Sequence, residues 1–256
     1  MGIRERLAAG ETVLAFGLGR VMNTTLIQLL GFEGSFHALW FDHEHVGFGI
    51  RELEAACAAA RAAGLENFVR IAPEGYALVT RCLEAGSGGV MAAQIQSAAH
   101  AEQFVQWAKF APRGRRGLNL SGFDARYGGM SAREFCERAN RDSFVAIQIE
   151  TLGALEQCDA IAAIDGVDLL FVGPADLSQA LGVTGEFFHP KCLETIDAVA
   201  AACRRHGKHW GAVTVGPDHA RLLWEKGCRL ISPTNDVKCF RAGIASVREA
   251  HAFCFE

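Results

Sequence analysis

Residues 144–150 read Phe144-Val145-Ala146-Ile147-Gln148-Ile149-Glu150, an apolar run that ends in an acid. Two other apolar runs lead to acids in the same way. His37–Asp42 stops at an acid, and Val167–Val172 leads into Gly173-Pro174-Ala175-Asp176. Short apolar runs of this kind are typical of strands that are buried on both faces, as in a parallel sheet. Because polar side chains stand where each run ends, the pattern indicates strands of one sheet that carry functional groups to a common rim.

Eight strand-like runs alternate with helix-like stretches along the chain. The runs are Thr12–Gly17, His37–Asp42, Asn67–Ala72, Gly88–Gln94, Phe144–Glu150, Val167–Val172, His209–Val213 and Arg229–Pro233. The helical stretches are Arg51–Gly64, Ala98–Phe110, Ser131–Arg138, Leu152–Ile164, Pro190–Gly207 and Pro217–Gly227. Alternation of strands and helices predicts a parallel sheet with helices outside it. Eight repeats in 256 residues predict an α/β fold, a closed (β/α)₈ TIM barrel that forms a single domain over residues 1–256.

Composition excludes several classes of partner. Hydrophobic residues make up 50% of the chain and charged residues 21%, as in globular proteins. A formal net charge of −4 leaves no basic surplus for nucleic acid. No apolar run approaches the roughly 18 residues of a membrane span, so no membrane partner is expected. Nine cysteines without a C-x-x-C pair, in a chain whose start does not resemble a signal peptide, predict reduced thiols and a cytoplasmic protein.

A long segment, residues 95–142, separates the fourth and fifth strand-like runs. It contains a helical stretch, the arginine-rich residues Pro112–Gly117 and a glycine-rich loop through Gly129. Loops of this length in compact domains are usually functional or disordered. Because the segment follows the fourth strand, we expect the loop to lie at the catalytic end of the barrel.

Strand alternation assigns the polar side chains to faces of the sheet. Successive side chains point to opposite faces, so Gln148 and Glu150 share the inner face of their strand. The same count places Asp42 and Arg70 inside the barrel. An inward arginine either pairs with a neighbouring acid, Asp42 or Glu150, or binds an anionic substrate at the barrel mouth. Both alternatives remain open from the sequence, and we favour substrate binding.

Two carboxylates and a histidine are the candidate chemical groups. Glu150 and Asp176 follow adjacent strands and suit Mg²⁺ or Mn²⁺ completed by water and substrate oxygens, although such acids also cap helices or pair with arginine. His45 lies just past the rim and is a candidate general base. A metal clamp formed by His43 and His45 is a weaker alternative. Of the five lysines, Lys238 alone follows the end of a strand closely, so Schiff-base chemistry is not expected.

The order and spacing of six motifs resemble the HpcH/HpaI family of metal-dependent class II pyruvate aldolases, over about residues 14–242. The motifs are Asp42-x-Glu44-His45, Val69-Arg70, Leu83-Glu84-Ala85-Gly86, Pro112-x-Gly114-x-Arg116-Gly117, Gln148-Ile149-Glu150-Thr151 and Gly173-Pro174-Ala175-Asp176-Leu177. The resemblance implies a (β/α)₈ barrel that assembles as a hexamer with exchanged C-terminal helices. It also implies reversible aldol cleavage between pyruvate, or a related 2-oxo acid, and an aldehyde through a metal-stabilised enolate.

The resemblance further implies roles for individual residues. Glu150 and Asp176 match the ligands of a divalent metal, which would be Mg²⁺ or Mn²⁺ with Co²⁺ as an alternative. Arg70 would hold the pyruvyl oxygen and stabilise the enolate. His45 would be the acid/base group, working with Glu84 and with Asp42 in its supporting network. The remaining substrate-binding positions are Gln148, Gly173, Pro174, Ala175 and Val213.

The chain departs from the family pattern around the pocket. Glu84 stands where Asp is common, His43 replaces a small or apolar residue, and Arg20-Val21-Met22-Asn23 replaces a Ser-rich turn. These departures bear on the aldehyde partner more than on the reaction type. Three alternatives remain: an acyl-CoA lyase in which Arg113, Arg115 and Arg116 contact the CoA phosphates, an oxaloacetate decarboxylase that uses the same metal site, and a catalytically silent barrel that serves as a scaffold.

Overall fold

In the computed structural model, which describes residues 1–255, eight parallel strands close into a barrel in the order β1 to β8. The strands are β1 Val13–Leu18, β2 Ala38–Asp42, β3 Glu66–Ile71, β4 Gly89–Ala92, β5 Phe144–Ile149, β6 Leu169–Val172, β7 His209–Val213 and β8 Leu230–Ser232. This confirms the predicted (β/α)₈ TIM barrel, and each predicted strand overlaps an observed one. The predicted domain ends at Glu256, which lies outside the described residues.

Twelve α-helices occur among residues 1–255, together with 3₁₀ helices at Phe123–Gly128 and Ala252–Cys254. They are α1 Ile3–Ala8, α2 Thr24–Glu33, α3 Ile50–Ala62, α4 Tyr76–Glu84, α5 Ala98–Ala108, α6 Ala132–Asp142, α7 Leu152–Glu156, α8 Cys158–Ala163, α9 Pro174–Ala180, α10 Pro190–Arg205, α11 Pro217–Glu225 and α12 Asp236–Ala250. The predicted helix Leu152–Ile164 is divided into α7 and α8, because Gln157 leaves the helical conformation between them.

Side chains that point into the barrel form one apolar cluster. Its members are Ile3, Leu7, Val13, Ala15, Ala38, Trp40, Phe68, Met91, Phe144, Ala146, Leu169, Phe171 and Leu230. The first two belong to α1, so this helix closes the end of the barrel where the strands begin. Burying a large side chain such as Phe171 contributes about 1.5–3 kcal/mol. The alternation that buries this cluster brings the polar residues at the strand ends to the open mouth.

The loop after α5 lies at the opposite end of the barrel from the one predicted. Only residues 93–97 follow β4 at the catalytic end, because α5 begins at Ala98 and runs antiparallel to the strands. The loop is tied to the end of α5 by a hydrogen bond from Arg116 N to Lys109 O (2.9 Å). Lys109 Nζ in turn donates to Ser143 O (2.7 Å), just before β5 begins. The prediction was wrong because a helix, and not the loop, makes the first part of this connection.

No helix among residues 1–255 combines the length and apolar character needed to cross a membrane. All nine cysteines are free thiols. Burial raises the pKa of the thiols of Cys57, Cys82, Cys203 and Cys228 to about 12, so these four act as packing residues.

Candidate active site

Arg70 and Asp42 lie side by side at the carboxyl ends of two paired strands. The parallel register of β2 and β3 sets Asp42 opposite Arg70. Arg70 Nε donates to Asp42 Oδ1 at 3.1 Å, and Nη2 donates to Oδ2 at 2.8 Å. Burial opposes ionisation of Asp42, but the hydrogen bonds and charge of Arg70 outweigh it, so the pKa of Asp42 lies below its ordinary value. The bidentate pair orients the guanidinium group in the mouth.

Two further neighbours hold the Arg70 side chain, which is 8% exposed. Its Nη1 lies 3.1 Å from Glu44 Oε2. The guanidinium carbon lies 4.7 Å from the centroid of the Trp40 ring, which is itself fixed by a hydrogen bond from Nε1 to Ser232 Oγ (3.0 Å). An arginine held by two acids and an aromatic face is preorganised to bind an anion.

Asp42 also shapes the turn that carries His45. Its Oδ1 accepts hydrogen bonds from the backbone N–H groups of Glu44 (3.1 Å) and His45 (3.2 Å). The carboxylate therefore acts as an Asx-type turn residue directly after β2. The His45 side chain is 56% exposed, and its Nε2 lies 3.7 Å from Glu44 Oε2. The His43 ring packs edge-on against Phe48, with ring centroids 4.9 Å apart, so His43 and His45 do not form a clamp.

Glu44, which sequence reasoning left without a role, lies between Arg70 and His45. Its side chain is 11% exposed. Burial raises the pKa of Glu44, and the charges of Asp42 and Asp176 act in the same direction, against Arg70 and His45. The D-x-E-H motif pointed to Glu44 as a site residue. Its position could not be predicted, because the alternation of side chains along a strand does not extend into the turn where Glu44 lies.

Glu150 is 1% exposed and accepts hydrogen bonds on both carboxylate oxygens. Oε1 accepts from Gln94 N (2.8 Å) and Gln94 Nε2 (3.1 Å), and Oε2 accepts from Gln148 Nε2. Burial raises the pKa of Glu150 to about 7, and the charges of Glu44 and Asp176 add to this effect. Two amides thus fix the carboxylate at the floor of the mouth.

Gln94 is a site residue that sequence reasoning missed. Its φ of 52° lies in the left-handed region, which costs a non-glycine residue energy and is characteristic of functional sites. In this conformation both its backbone N–H and its side-chain amide reach Glu150. The residue ends a predicted strand, so its position at the rim was visible in the sequence, but its backbone conformation was not.

Asp176 lies in the first turn of α9 and shares a pocket of about 400 Å³ with Glu150, Gln94 and Thr151. Within residues 1–255, no group of three or more His, Cys, Asp or Glu side chains is arranged to hold a metal ion. The two carboxylates in the pocket, those of Glu150 and Asp176, are hard oxygen donors. The buried Oε1 of Gln148 has no hydrogen-bond partner in the described chain and leaves a further oxygen acceptor at this point.

The remaining residues predicted to bind substrate lie at the same end of the barrel. Gln148 and Gly173 are buried, Pro174 and Ala175 begin α9, and Val213 ends β7 beside the inner apolar cluster. Gln148 is the one polar side chain among these five positions, and Val213 contacts the inner apolar cluster.

Comparison with known proteins identifies the family. The family model described as HpcH/HpaI aldolase/citrate lyase matches residues 31–242. The chain belongs to this family. A 4-hydroxy-4-methyl-2-oxoglutarate aldolase of Hapsidospora irregularis is 34% identical over 82% of this chain and 78% of its own length. A 2-dehydro-3,6-dideoxy-6-sulfogluconate aldolase of Pseudomonas putida is 32% identical over 82% of this chain and 81% of its own.

The crystal structure of an HpcH/HpaI aldolase from Desulfitobacterium hafniense DCB-2 superposes with a TM-score of 0.88. That protein is 30% identical, and the match covers 97% of each chain. These relatives are aldolases, and this HpcH/HpaI chain is accordingly a carbon–carbon lyase.

Within one HpcH/HpaI chain, the predicted pair of His45 and Glu84 is not formed. Glu84 is the last residue of α4, where the chain returns to the start of β4, and it lines a cleft with Arg61 and Phe123. His45 follows the carboxyl end of β2, so the two side chains lie at opposite ends of the barrel. The acid beside His45 in this chain is Glu44. Motif spacing does not reveal this separation, because it does not show which end of a helix a residue occupies.

Gly173→Ala is expected to lower the activity of this HpcH/HpaI chain about ten- to a hundredfold, the usual effect of disturbing the contacts that orient a functional side chain. A Cβ at residue 173 would lie 2.5 Å from Gln148 Nε2 and closer still to Glu150 Oε2. The carboxylate must therefore move. Steady-state kinetics measures the loss. Gly216→Ala is the matched control, because its Cβ meets nothing within 4 Å, and equal losses in the two variants would contradict the role of Gly173.

Proposed function

We propose that the protein is a divalent-metal-dependent class II aldolase. It would reversibly cleave the carbon–carbon bond between pyruvate, or a close 2-oxo acid, and an aldehyde. The observation that carries the proposal is the convergence of Arg70, Gln148, Glu150 and Asp176 at one end of the barrel. Membership of the HpcH/HpaI family supports the same reaction type.

The two carboxylates fit a hard divalent cation. Glu150 and Asp176 would hold Mg²⁺, Mn²⁺ or Co²⁺, because carboxylate oxygens are ligands that these cations accept. When bound, the cation would act as a Lewis acid toward the keto group. Gln94 and Gln148 keep the Glu150 side chain in one orientation for this purpose.

Arg70 would stabilise the charge that develops during cleavage. When the bond between C3 and C4 of the substrate breaks, its electron pair moves toward the keto oxygen and forms an enolate. The Arg70 guanidinium is held in the mouth by Asp42 and Trp40, so it supplies positive charge without reorganising. A substrate oxygen would compete with Glu44 for Nη1, the one nitrogen that Asp42 does not occupy.

His45 would move the proton. During cleavage it would accept the proton of the C4 hydroxyl as the aldehyde carbonyl forms, and a proton would then be delivered to C3 of the enolate. Histidine suits both steps, because an imidazole ring can accept a proton and later donate it. Its exposed side chain can exchange the proton with solvent, and Glu44 and Asp42 keep the turn in place.

The acyl-CoA lyase alternative needs free cations near the mouth. Arg113 forms a bidentate pair with Glu102 (2.8 and 2.7 Å), and Arg116 pairs with the Asp124 carboxylate. All three candidate arginines lie in the loop at the amino-terminal end of the barrel.

Decarboxylation of oxaloacetate would use the same residues as the aldol reaction and is proposed as a side activity. The intact carboxylate pair argues against a silent scaffold.

We extend the proposal to assembly as a homo-oligomer, with a hexamer as the expected state. Of the residues in α12, only Asp236 is buried. Val237, Phe240, Ile244 and Val247 recur on one face of this helix and are 39–67% exposed. An unpaired apolar face of this size supports the exchange of C-terminal helices between subunits.

Pyruvate release from 4-hydroxy-2-oxo acids tests the proposed reaction. Lactate dehydrogenase coupling would follow pyruvate before and after exhaustive treatment with a chelator. We expect activity to disappear with the metal and to return on addition of Mn²⁺ or Mg²⁺, because two carboxylates without the cation leave the keto group unactivated. Activity that survives chelation would contradict the proposal.

A further inference from the structure

Arg20 lies in the loop between β1 and α2, beside His45. Its Nη2 donates a hydrogen bond to the backbone oxygen of His45 at 2.8 Å. All the loops that connect the carboxyl end of a strand to the next helix lie within residues 1–255, and Arg20 is their only lysine or arginine. The segment 181–189 after α9 also has none. The loops of the mouth therefore contain a single permanent cation.

The backbone on both sides of Arg20 is fixed. Gly19 N and Val21 N both donate to Asp236 Oδ2, at 3.0 and 2.6 Å. Asp236 begins α12 and is 5% exposed. A Cβ at Gly19 would lie 3.3 Å from Asp42 Cβ, so the loop packs directly on the end of β2. A buried acid thus anchors the loop that presents Arg20 to the mouth.

Most N–H donors of the Arg20 guanidinium have no partner among the described charged groups around it. Acids predominate in the mouth, and the other arginine there, Arg70, is already engaged by Asp42 and Glu44. In the chain from Met1 to residue 255, Arg20 forms no ion pair, and its hydrogen-bond partner is a neutral carbonyl. A guanidinium carries five N–H donors, so several remain for a ligand.

We infer that Arg20 binds an anionic group on the aldehyde and determines the specificity of the reaction for such aldehydes. The inference rests on the proposed function, because it assigns the second substrate of that reaction. The 2-oxo acid would bind at the bottom of the mouth, beside Arg70 and Glu150. The new hydroxyl group would face His45. A carboxylate, phosphate or sulfonate a few bonds beyond the reacting carbon then lies within reach of Arg20, which contacts the His45 backbone.

Addition of pyruvate to pairs of charged and neutral aldehydes tests the inference. The enzyme with Mn²⁺ would be assayed with succinic semialdehyde against butanal, and with glyceraldehyde 3-phosphate against glyceraldehyde. We expect wild type to favour at least one anionic aldehyde about tenfold in kcat/KM over its neutral match. Arg20→Gln should lower that ratio about tenfold, mainly through KM, because the contact is made equally in the ground and transition states. The pair that responds distinguishes a carboxylate from a phosphate.

Two variants control the experiment. Arg20→Lys keeps the charge without the planar fork and should retain part of the preference. Arg133→Gln removes an exposed arginine of α6, at the far end of the barrel, and should leave the ratio as in wild type.

The outcomes separate the two proposals. A ratio that is the same in wild type and Arg20→Gln, or equal losses for charged and neutral aldehydes, overturns the role of Arg20 while the aldolase function stands. Absence of addition with every aldehyde in wild type overturns the proposed function, and the inference with it. Wild-type kcat/KM for the neutral aldehydes in Arg20→Gln excludes misfolding as the cause of its lost preference.

Discussion

Glu150→Gln is expected to lower kcat/KM for aldol cleavage by about a thousandfold, because it removes the charge of a proposed metal ligand that contributes several kcal/mol. Glutamine keeps the shape of the side chain but removes the negative charge, and one end of its amide would present N–H groups to the donors of Gln94 or Gln148. Steady-state kinetics in excess Mn²⁺ measures the loss of kcat/KM. Calorimetric titration with Mn²⁺ measures the loss of metal affinity independently of activity.

Glu156→Gln is the matched control for this experiment. Glu156 is exposed on α7, six residues from Glu150, and undergoes the same chemical change. It should bind Mn²⁺ and turn over substrate as wild type does. If Glu150→Gln kept kcat/KM within threefold of wild type, Glu150 would not be a ligand of the catalytic metal.

The same variant has a second readout in the metal-free protein. Burial raises the pKa of Glu150 from 4.5 to about 7, so the folded state binds this proton more tightly than the unfolded chain does. The free energy of unfolding should therefore fall as pH rises from about 4.5 to about 7, by up to about 3 kcal/mol from this group. Urea unfolding with chelator present should show that Glu150→Gln lacks this decline. A difference between the two proteins that does not vary with pH would contradict the assignment.

Arg70→Met is expected to lower kcat/KM by about a hundred- to a thousandfold, the usual effect of removing a preorganised donor to a developing oxyanion. It should also lower the free energy of unfolding by about 3 kcal/mol, because the largely buried carboxylates of Asp42 and Glu44 lose their shared cation. Kinetics and urea unfolding measure the two effects separately.

Two variants distinguish the geometry of Arg70 from its charge. Arg70→Lys keeps the cation, so stability should be largely retained while activity stays at least tenfold below wild type, because lysine lacks the bidentate fork. Arg51→Met, at an exposed position in the first turn of α3, is the control for loss of an arginine near the same rim. Wild-type kcat/KM in Arg70→Lys would contradict the proposed contact with the enolate oxygen.

Much of the site was predictable because it follows from strand periodicity. The count that placed Phe144 and Ala146 inside the barrel also placed Gln148 and Glu150 there, and the inner apolar cluster confirms the face. The ends of predicted strands likewise indicated the rim where Asp42 and Arg70 meet. These inferences need only local information, since side chains alternate wherever a strand forms.

Three features depended on contacts that periodicity does not describe. The loop of residues 109–131 lies at the amino-terminal end because it follows a helix that runs back along the barrel, and Glu84 lies there because it is the last residue of such a helix. Gln94 reaches Glu150 through a left-handed backbone conformation across 56 residues of chain. None of these follows from the order of residues in a motif.

The sequence by itself determined the eight-strand barrel, the faces of the strands and the acids at the carboxyl rim, because hydrophobic periodicity is a local property of the chain. Only the tertiary structure decided which acid stands beside His45. It also decided that Arg20, and not Arg70, keeps N–H donors free for a ligand. Those outcomes depend on barrel closure, which brings Asp236 against the loop of Gly19 across 217 residues of chain. Closure makes neighbours of residues that no spacing rule relates. Arg20 lies next to His45 only because the barrel closes in this way.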